Sequence, residues 1–370
     1  MKNEMSRSET ETGKKRILYF VEAMGGGVFT YIVELSNKLS EKYDVFVAYG
    51  LRRQTPENYQ EYFNPSVHLI KVENYSRSLN LWSNLKAIKE MKEIEQSVHP
   101  DVIHLHSSIA GALGRVAFDG KNVPLYYTPH GYSFLMSNYG LFRRTAYRLV
   151  EKFCAHRNCT TISCSYGEHM ETLKLTSRAI YINNGINIKT LQKLAKSVRE
   201  RPANRKLTVF TLGRICYQKD PELFNEIAGC FPDAEFIWIG DGEIRDRLTN
   251  KNIRVTGWLE RLSALEIAMH SDVFLLTSRW EGLPMSLLES MYLEKLCIVS
   301  DVIGNHDVIK NGVNGYVCRS IEEFKTAIAS YQDTSAKVMI DNAKRDVIEH
   351  YNTDVMGEKY SEIYFGKATV

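Results

Sequence analysis

Short apolar runs alternate with longer stretches of mixed polarity along almost the whole chain. The first series is RILYFVE (16–22), DVFVAYG (44–50), VHLIKV (67–72), DVIHLH (101–106), LYYTPH (125–130), TTISCS (160–165) and AIYINN (179–184). Runs of about four to eight residues rich in β-branched and aromatic side chains predict buried strands, and the amphipathic stretches between them predict helices. A polar, basic stretch over 187–206 interrupts the pattern and is expected to be a linker. A second series follows: LTVFTLGR (207–214), AEFIWIG (234–240), IRVTGW (253–258), DVFLLTS (272–278) and LCIVSD (296–301), with YVCRS (316–320) as an edge strand. The last helical stretch, 335–366, carries a break near Asn352, Thr353 and Asp354, and its end is expected to cross back onto the first half.

Strand–helix alternation of this kind predicts the α/β class. It implies two doubly wound, Rossmann-like domains with parallel sheets, facing each other across a cleft at the strand C-termini. The expected boundaries are a disordered lead-in over 1–15, an N-terminal domain over 16–186, the linker over 187–206, a second domain over 207–350, and a C-terminal helix over 351–370 that returns to the first.

Composition agrees with a globular protein of two ordinary domains: 370 residues, 44% hydrophobic and 25% charged. No run approaches the ~18 apolar residues of a membrane span. The opening MKNEMSRSETETGKKR has no apolar core, so no secretion signal is expected and the reading is cytoplasmic. Seven scattered cysteines suit a reducing compartment. Cys154, Cys159 and Cys164 recur at five-residue intervals but lack the paired knuckle of a zinc site, so no metal is expected.

Charge is uneven. Residues 1–200 hold 27 Lys and Arg against 19 Asp and Glu, and the remainder 20 against 25. A basic first half suits an anionic ligand. Nucleic acid matches the sign but no helix-turn-helix, zinc finger or ribonucleoprotein pattern accompanies it. A lipid surface or a phosphorylated acceptor matches as well. Within that half, YGLFRRTAYRLVEKFCAHR (139–157) interleaves Arg143, Arg144, Arg148 and Lys152 with Leu141, Phe142, Leu149 and Phe153. It is either a packed helix with a solvated face or one that meets an anionic membrane or a lipid diphosphate.

Candidate chemistry concentrates at strand ends. RWEGLPMSLLESMY (279–292) places Glu281 and Glu289 eight apart, about two helical turns at ~3.6 residues per turn, with Gly282 and Leu283 in a turn ahead of the helix and Pro284 expected in its first turn. Backbone N–H groups at such a helix start hold an anion, and flanking carboxylates accept sugar hydroxyls. Gly25, Gly26 and Gly27 follow the first strand and are either a close-approach loop for a phosphate or sugar or a tight turn. His130 ends the fifth strand beside Gly131; His106 is the more cleft-directed of the pair His104 and His106. Gly213, Arg214 and Lys219 end the first strand of the second series, where a guanidinium and an ammonium can clamp a diphosphate. Gly257 and Trp258 offer backbone groups and a flat apolar face to a nucleotide base.

Taken in order, GGG, HGY, NNGI, GR with Lys219, GDG, Gly257, Glu-x7-Glu and NGVNGYV span nearly the full chain. The set resembles the retaining GT-B glycosyltransferases of family GT4 (glycosyltransferase group 1). That resemblance implies a GT-B fold and transfer of a hexose-type sugar from a nucleotide diphosphate, UDP by default, to a glycan or polyprenyl-diphosphate-linked acceptor. The place of such an enzyme is the cytoplasm or the inner face of the membrane. It implies that Arg214 and Lys219 hold the donor diphosphate, Glu289 the ribose, Glu281, Gly282 and Leu283 the donor sugar, and that His130 faces that sugar. Neither metal nor cofactor is implied. Two departures stand out: Asn187 occupies a position often held by an acid, and Gly304-Asn305-His306-Asp307 replaces a Gly-Gly-x-x-Glu loop. A sugar-nucleotide epimerase of the same architecture would lack this Glu-x7-Glu context, and a non-catalytic subunit would have lost Arg214, Lys219 or Glu289.

Overall fold

The computed structural model describes residues 13–52, 54–75, 81–197 and 206–366. The expectations for 1–12 and for 198–205, 53, 76–80 and 367–370 therefore lie outside the described residues. Among the described residues, strands form two parallel sheets. The first contains β1 (Arg16–Met24), β2 (Asp44–Leu51), β3 (His68–Lys71), β4 (Val102–His106), β5 (Leu125–Thr128), β6 (Thr160–Ser163) and β7 (Ala179–Tyr181), in the order β3-β2-β1-β4-β5-β6-β7. The second contains β8 (Thr208–Leu212), β9 (Glu235–Ile239), β10 (Ile253–Val255), β11 (Val273–Leu276), β12 (Leu296–Ser300) and β13 (Tyr316–Cys318), in the order β10-β9-β8-β11-β12-β13.

The central strands of each sheet are covered on both faces, which is why they are largely apolar. Every residue of β11 and β12 is buried. Along β1 the side chains alternate between two cores: Ile17, Tyr19 and Val21 enter one, and Leu18 and Phe20 the other. Strand order reverses between β1 and β4 in the first sheet and between β8 and β11 in the second. At such a reversal the following helices leave on opposite faces and open a crevice beyond the strand C-termini, where ligands bind in this kind of fold.

The chain passes between the halves twice, side by side. Ile186 N–H donates to Tyr351 O and Thr353 N–H to Ile186 O, both at 3.0 Å. The expected break in the last helical stretch lies here: one helix covers Thr334–His350, and Asn352 caps the next, Thr353–Phe365, by accepting from Val355 N–H. Met356, Tyr360 and Tyr364 of that final helix join the core of the first half.

The stretch expected to be a linker contains a helix, Ile188–Ser197. Its Leu191 is buried in the core of the second half, with Ile188 and Leu194 against it. Those three recur at helical spacing, so the apolar stripe prevails over the basic composition.

The basic segment forms the helix Leu141–Ala155, which buries only Glu151 and Cys154. Leu141, Phe142 and Phe153 are 80%, 91% and 66% exposed. Its cations do not act alike: Arg144 Nε donates to Phe134 O at 2.9 Å and braces the preceding loop, which removes it from the outward face expected of it. Among the described residues no helix is long and apolar enough to cross a membrane.

Candidate active site

Both reversal points carry the residues singled out above. At the end of β1, Gly26 has φ +56°, a left-handed conformation that favours glycine, and a Cβ on Gly26 or Gly27 would meet no atom within 4 Å. Gly25 precedes the helix Gly26–Ser40, whose N-terminus thus opens on free space.

Beyond β5, Pro129 ends the ladder and His130 takes φ 55°. His130 Nε2 lies 3.1 Å from His106 Nδ1, so one ring donates and the other accepts. Burial pushes His130 down to about 3, and it lowers His106 as well, so both rings are neutral near pH 7. The adjoining Gly131 N–H donates to Glu168 at 2.6 Å.

Across the crevice, a Cβ on Gly282 would lie 3.1 Å from Gly131 N and 3.2 Å from His130 C. Glycine at 282 lets the two halves meet at this point. Leu283 O accepts from Asn184 Nδ2 at 2.8 Å, joining the halves again. Pro284 stands immediately before the helix Met285–Tyr292 rather than in its first turn, and all eight of that helix's residues are buried.

Lys219 Nζ lies 2.7 Å from Glu281 Oε1, and both side chains are largely buried. Glu281 also accepts from Ser278 Oγ at 2.6 Å and from Gln218 Nε2 at 3.3 Å. Lys219 folds over Gly213, its Cε 3.4 Å from where a Cβ would stand. Arg214 is further out and pairs with Glu243, Nε donating to Oε2 at 2.9 Å. The GDG run has a packing role: a Cβ on Gly240 or Gly242 would strike Gly213 O or Ile215 O, at 2.2 and 2.0 Å. Trp258 is 60% exposed, presenting its ring to solvent beyond β10. Glu289 is buried in the helix, with Arg261 NH2 2.5 Å from its Oε1.

The comparisons with known proteins bear on this geometry. Residues 25–190 match the family described as Glycosyltransferase Family 4, and residues 192–346 match Glycosyl transferases group 1. The chain belongs to the group 1, family 4 glycosyltransferases. This glycosyltransferase is 28% identical over 340 residues to the UDP-Gal:alpha-D-GlcNAc-diphosphoundecaprenol alpha-1,3-galactosyltransferase of Escherichia coli, covering 82% of this chain and 85% of that one. Its GT-B fold is shared with sucrose-phosphate synthase from Thermosynechococcus elongatus, with TM-score 0.79, 15% identity, and 95% and 98% of the two chains covered. It is also shared with Anabaena HepE in complex with UDP and glucose, with TM-score 0.75, 15% identity, and 94% and 99% covered.

The two departures from the family pattern have local explanations in this glycosyltransferase. Asn187 Oδ1 accepts from Thr190 N–H at 3.2 Å at the start of the helix Ile188–Ser197. Asn and Asp cap helices equally well there. Asp307 accepts from Gly304 N–H at 3.0 Å and, across the halves, from Gly167 N–H at 2.9 Å.

The structure therefore brings His130, Gly282, Glu281 and Lys219 together, with Arg214 just beyond Gly213; Glu289 pairs with Arg261, and Trp258 lies exposed beyond β10. The sequence reading missed Glu243, Ser278 and Gln218 as partners, and it missed Arg261 and Glu34 altogether. Glu243 directly follows GDG at a strand end, which is a usable signal. Nothing in the local pattern marks Arg261.

Proposed function

We propose that this glycosyltransferase moves a hexose-type sugar from a UDP-sugar to a polyprenyl-diphosphate-linked glycan, with retention and without a bound metal, in surface glycan synthesis. The observation that carries the proposal is the placement of Lys219, Glu281, Gly282 and His130 at the facing strand reversals. A cation, a helix start and a carboxylate there are the groups a sugar diphosphate needs. The family assignment and the donor and acceptor in the E. coli relative's name support the same reading.

As the C1–O bond breaks, its electron pair leaves with the β-phosphate. Lys219 and Arg214 are the groups for that charge, in the role a metal would otherwise take. The acceptor oxygen bonds to C1 from the departing group's own face, and its proton passes to the leaving phosphate oxygen. Glu281 is committed to Lys219 and Ser278, which favours holding over nucleophilic attack. Glu289 would take the ribose, and the neutral His130 ring can donate to or accept from a sugar hydroxyl.

A panel of UDP- and GDP-sugars assayed for nucleotide release is expected to show turnover with a UDP-hexose that requires a polyprenyl-diphosphate glycan. Preference for a GDP-sugar would overturn the UDP reading. Donor interconversion without any acceptor would identify an epimerase instead.

The acceptor class places the enzyme at the inner membrane face, with Leu141, Phe142, Phe153, Arg143, Arg148 and Lys152 as the meeting surface. Wild-type protein is expected to sediment with vesicles rich in anionic lipid and not with neutral ones. Phe142→Ser combined with Arg143→Glu and Lys152→Glu should abolish that cosedimentation; unchanged binding would reject the membrane role.

A further inference from the structure

Glu34 is a buried carboxylate of the helix Gly26–Ser40 to which sugar transfer assigns no task. It faces a guanidinium from the other half. Arg261 NH2 lies 3.8 Å from Glu34 Oε1 and 2.5 Å from Glu289 Oε1. Arg261 NH1 donates to Thr30 Oγ1 at 3.2 Å. Arg261 opens the helix Arg261–Met269 and is 26% exposed. Two carboxylates, one from each half, thus share one guanidinium at the edge of the crevice. The contact with Glu289 is a charge pair without hydrogen-bond alignment: Oε1 is buried and accepts no directed hydrogen bond. A ligand hydroxyl could supply one.

We propose that Arg261 is the positioning residue for Glu289, fixing its carboxylate for the donor ribose and tying it through Thr30 and Glu34 to the acceptor-side half. This rests on the reading that Glu289 takes the ribose. An ionised carboxylate accepts from both hydroxyls of a vicinal diol, whereas a protonated one has lost part of that capacity. Burial raises the Glu289 pKa, and Arg261 opposes the rise. Glu34 is pushed up to about 7 by burial, with Glu289 adding to the rise and Arg261 and Asn187 opposing it. The groups that meet here are therefore Glu34, Arg261 and Glu289, with Tyr62 and Glu260 close to Arg261 and neutral Asn187 and Thr30 beside them. Removing the guanidinium leaves both carboxylates buried without a counter-charge, so both bind protons more readily. Ribose binding in such a variant improves as pH rises and Glu289 ionises.

The test is the affinity for UDP of wild type, Arg261→Gln, Arg261→Lys and Glu289→Gln, by titration calorimetry at pH 6.5 and 8.5. Thermal melts confirm that each variant folds. Titration of the UDP phosphate is common to all four and cancels in their ratios. Arg261→Gln is expected to bind UDP about tenfold more weakly than wild type at pH 6.5, since each unit by which a carboxyl pKa exceeds the pH is a factor of ten in its ionised fraction. Most of that loss should be recovered at pH 8.5. Arg261→Lys keeps the charge and should restore a wild-type pH response, though not the full affinity. Glu289→Gln should be weakened equally at both values. A purely structural role for Arg261 predicts an equal loss at both pH values, and that result, or no loss at all, overturns the proposal. Wild-type affinity in Glu289→Gln would refute the ribose reading, and the proposal with it.

Discussion

Lys219→Ala is expected to lower kcat by roughly two to three orders of magnitude at saturating donor, the effect of removing one preorganised donor worth ~3–4 kcal/mol to developing negative charge. Two properties make Lys219 the more sensitive of the two cations. Its side chain is 15% exposed, against 37% for Arg214, so solvent screens its field less. Its loss also leaves Glu281 with Ser278 and Gln218 as partners and no neutralising charge, beside the position proposed for the phosphate. Arg214→Ala should act in the same direction with a smaller drop. In the absence of donor, Lys219 and Arg214 pair with Glu281 and Glu243, so an incoming diphosphate competes with carboxylates already in place. The signature sought is a fall in kcat and in kcat/KM together, read from initial rates of nucleotide release. A change confined to KM would mean that the cations bind the ground state only. Near-normal rates in both variants would eliminate the clamp.

The alternation of apolar runs made both sheets legible, because parallel strands covered on two faces leave a local signature. Their ends were less legible. LYYTPH was read to residue 130, yet β5 stops at Thr128, where Pro129 supplies no N–H and His130 turns left-handed. The helix Ile188–Ser197 was lost under the charge of its neighbours. Glycines, histidines and cations at strand ends stand out in the sequence as candidates, and the structure gives some of them, such as Gly240 and Gly242, a packing role. The partners that neutralise the cations were not found. Arg261 is separated from Glu34 by more than two hundred positions, and Lys219 from Glu281 by 62. Arg261 meets Glu34 where the two halves pack, and Lys219 meets Glu281 where the loops after the neighbouring strands β8 and β11 converge; no periodicity encodes either pair. The same holds for Asp307, whose hydrogen bond to Gly167 is a packing contact between the halves in the loop that departs from the family pattern.

Arg115→Ala is expected to destabilise the first half by ~3–5 kcal/mol, the cost of leaving a buried partner charge uncompensated. Arg115 is 2% exposed; its NH2 donates to Glu151 at 2.7 Å and its Nε to Gly111 O at 2.8 Å. Its guanidinium lies 4.1 Å from the centre of the Tyr127 ring, and Tyr127 OH donates to the other Glu151 oxygen at 3.0 Å. Glu151 is one of two buried residues of the helix Leu141–Ala155, so this network is one inward attachment of an otherwise exposed helix, beside the Arg144 bond to Phe134 O. Denaturant unfolding followed by a probe in the first half should show the loss as a lowered midpoint. The double variant Arg115→Met with Glu151→Leu should recover part of it: an apolar pair of similar volume carries no charge-desolvation cost, but the buried Tyr127 OH loses its acceptor. Vesicle binding separates two roles of the helix. If its outer face is what meets the bilayer, the double variant should sediment with anionic vesicles like wild type, while Arg115→Ala, with the helix loosened, should bind less. Wild-type stability in Arg115→Ala would show that the helix is held by its remaining contacts and that the buried pair contributes little.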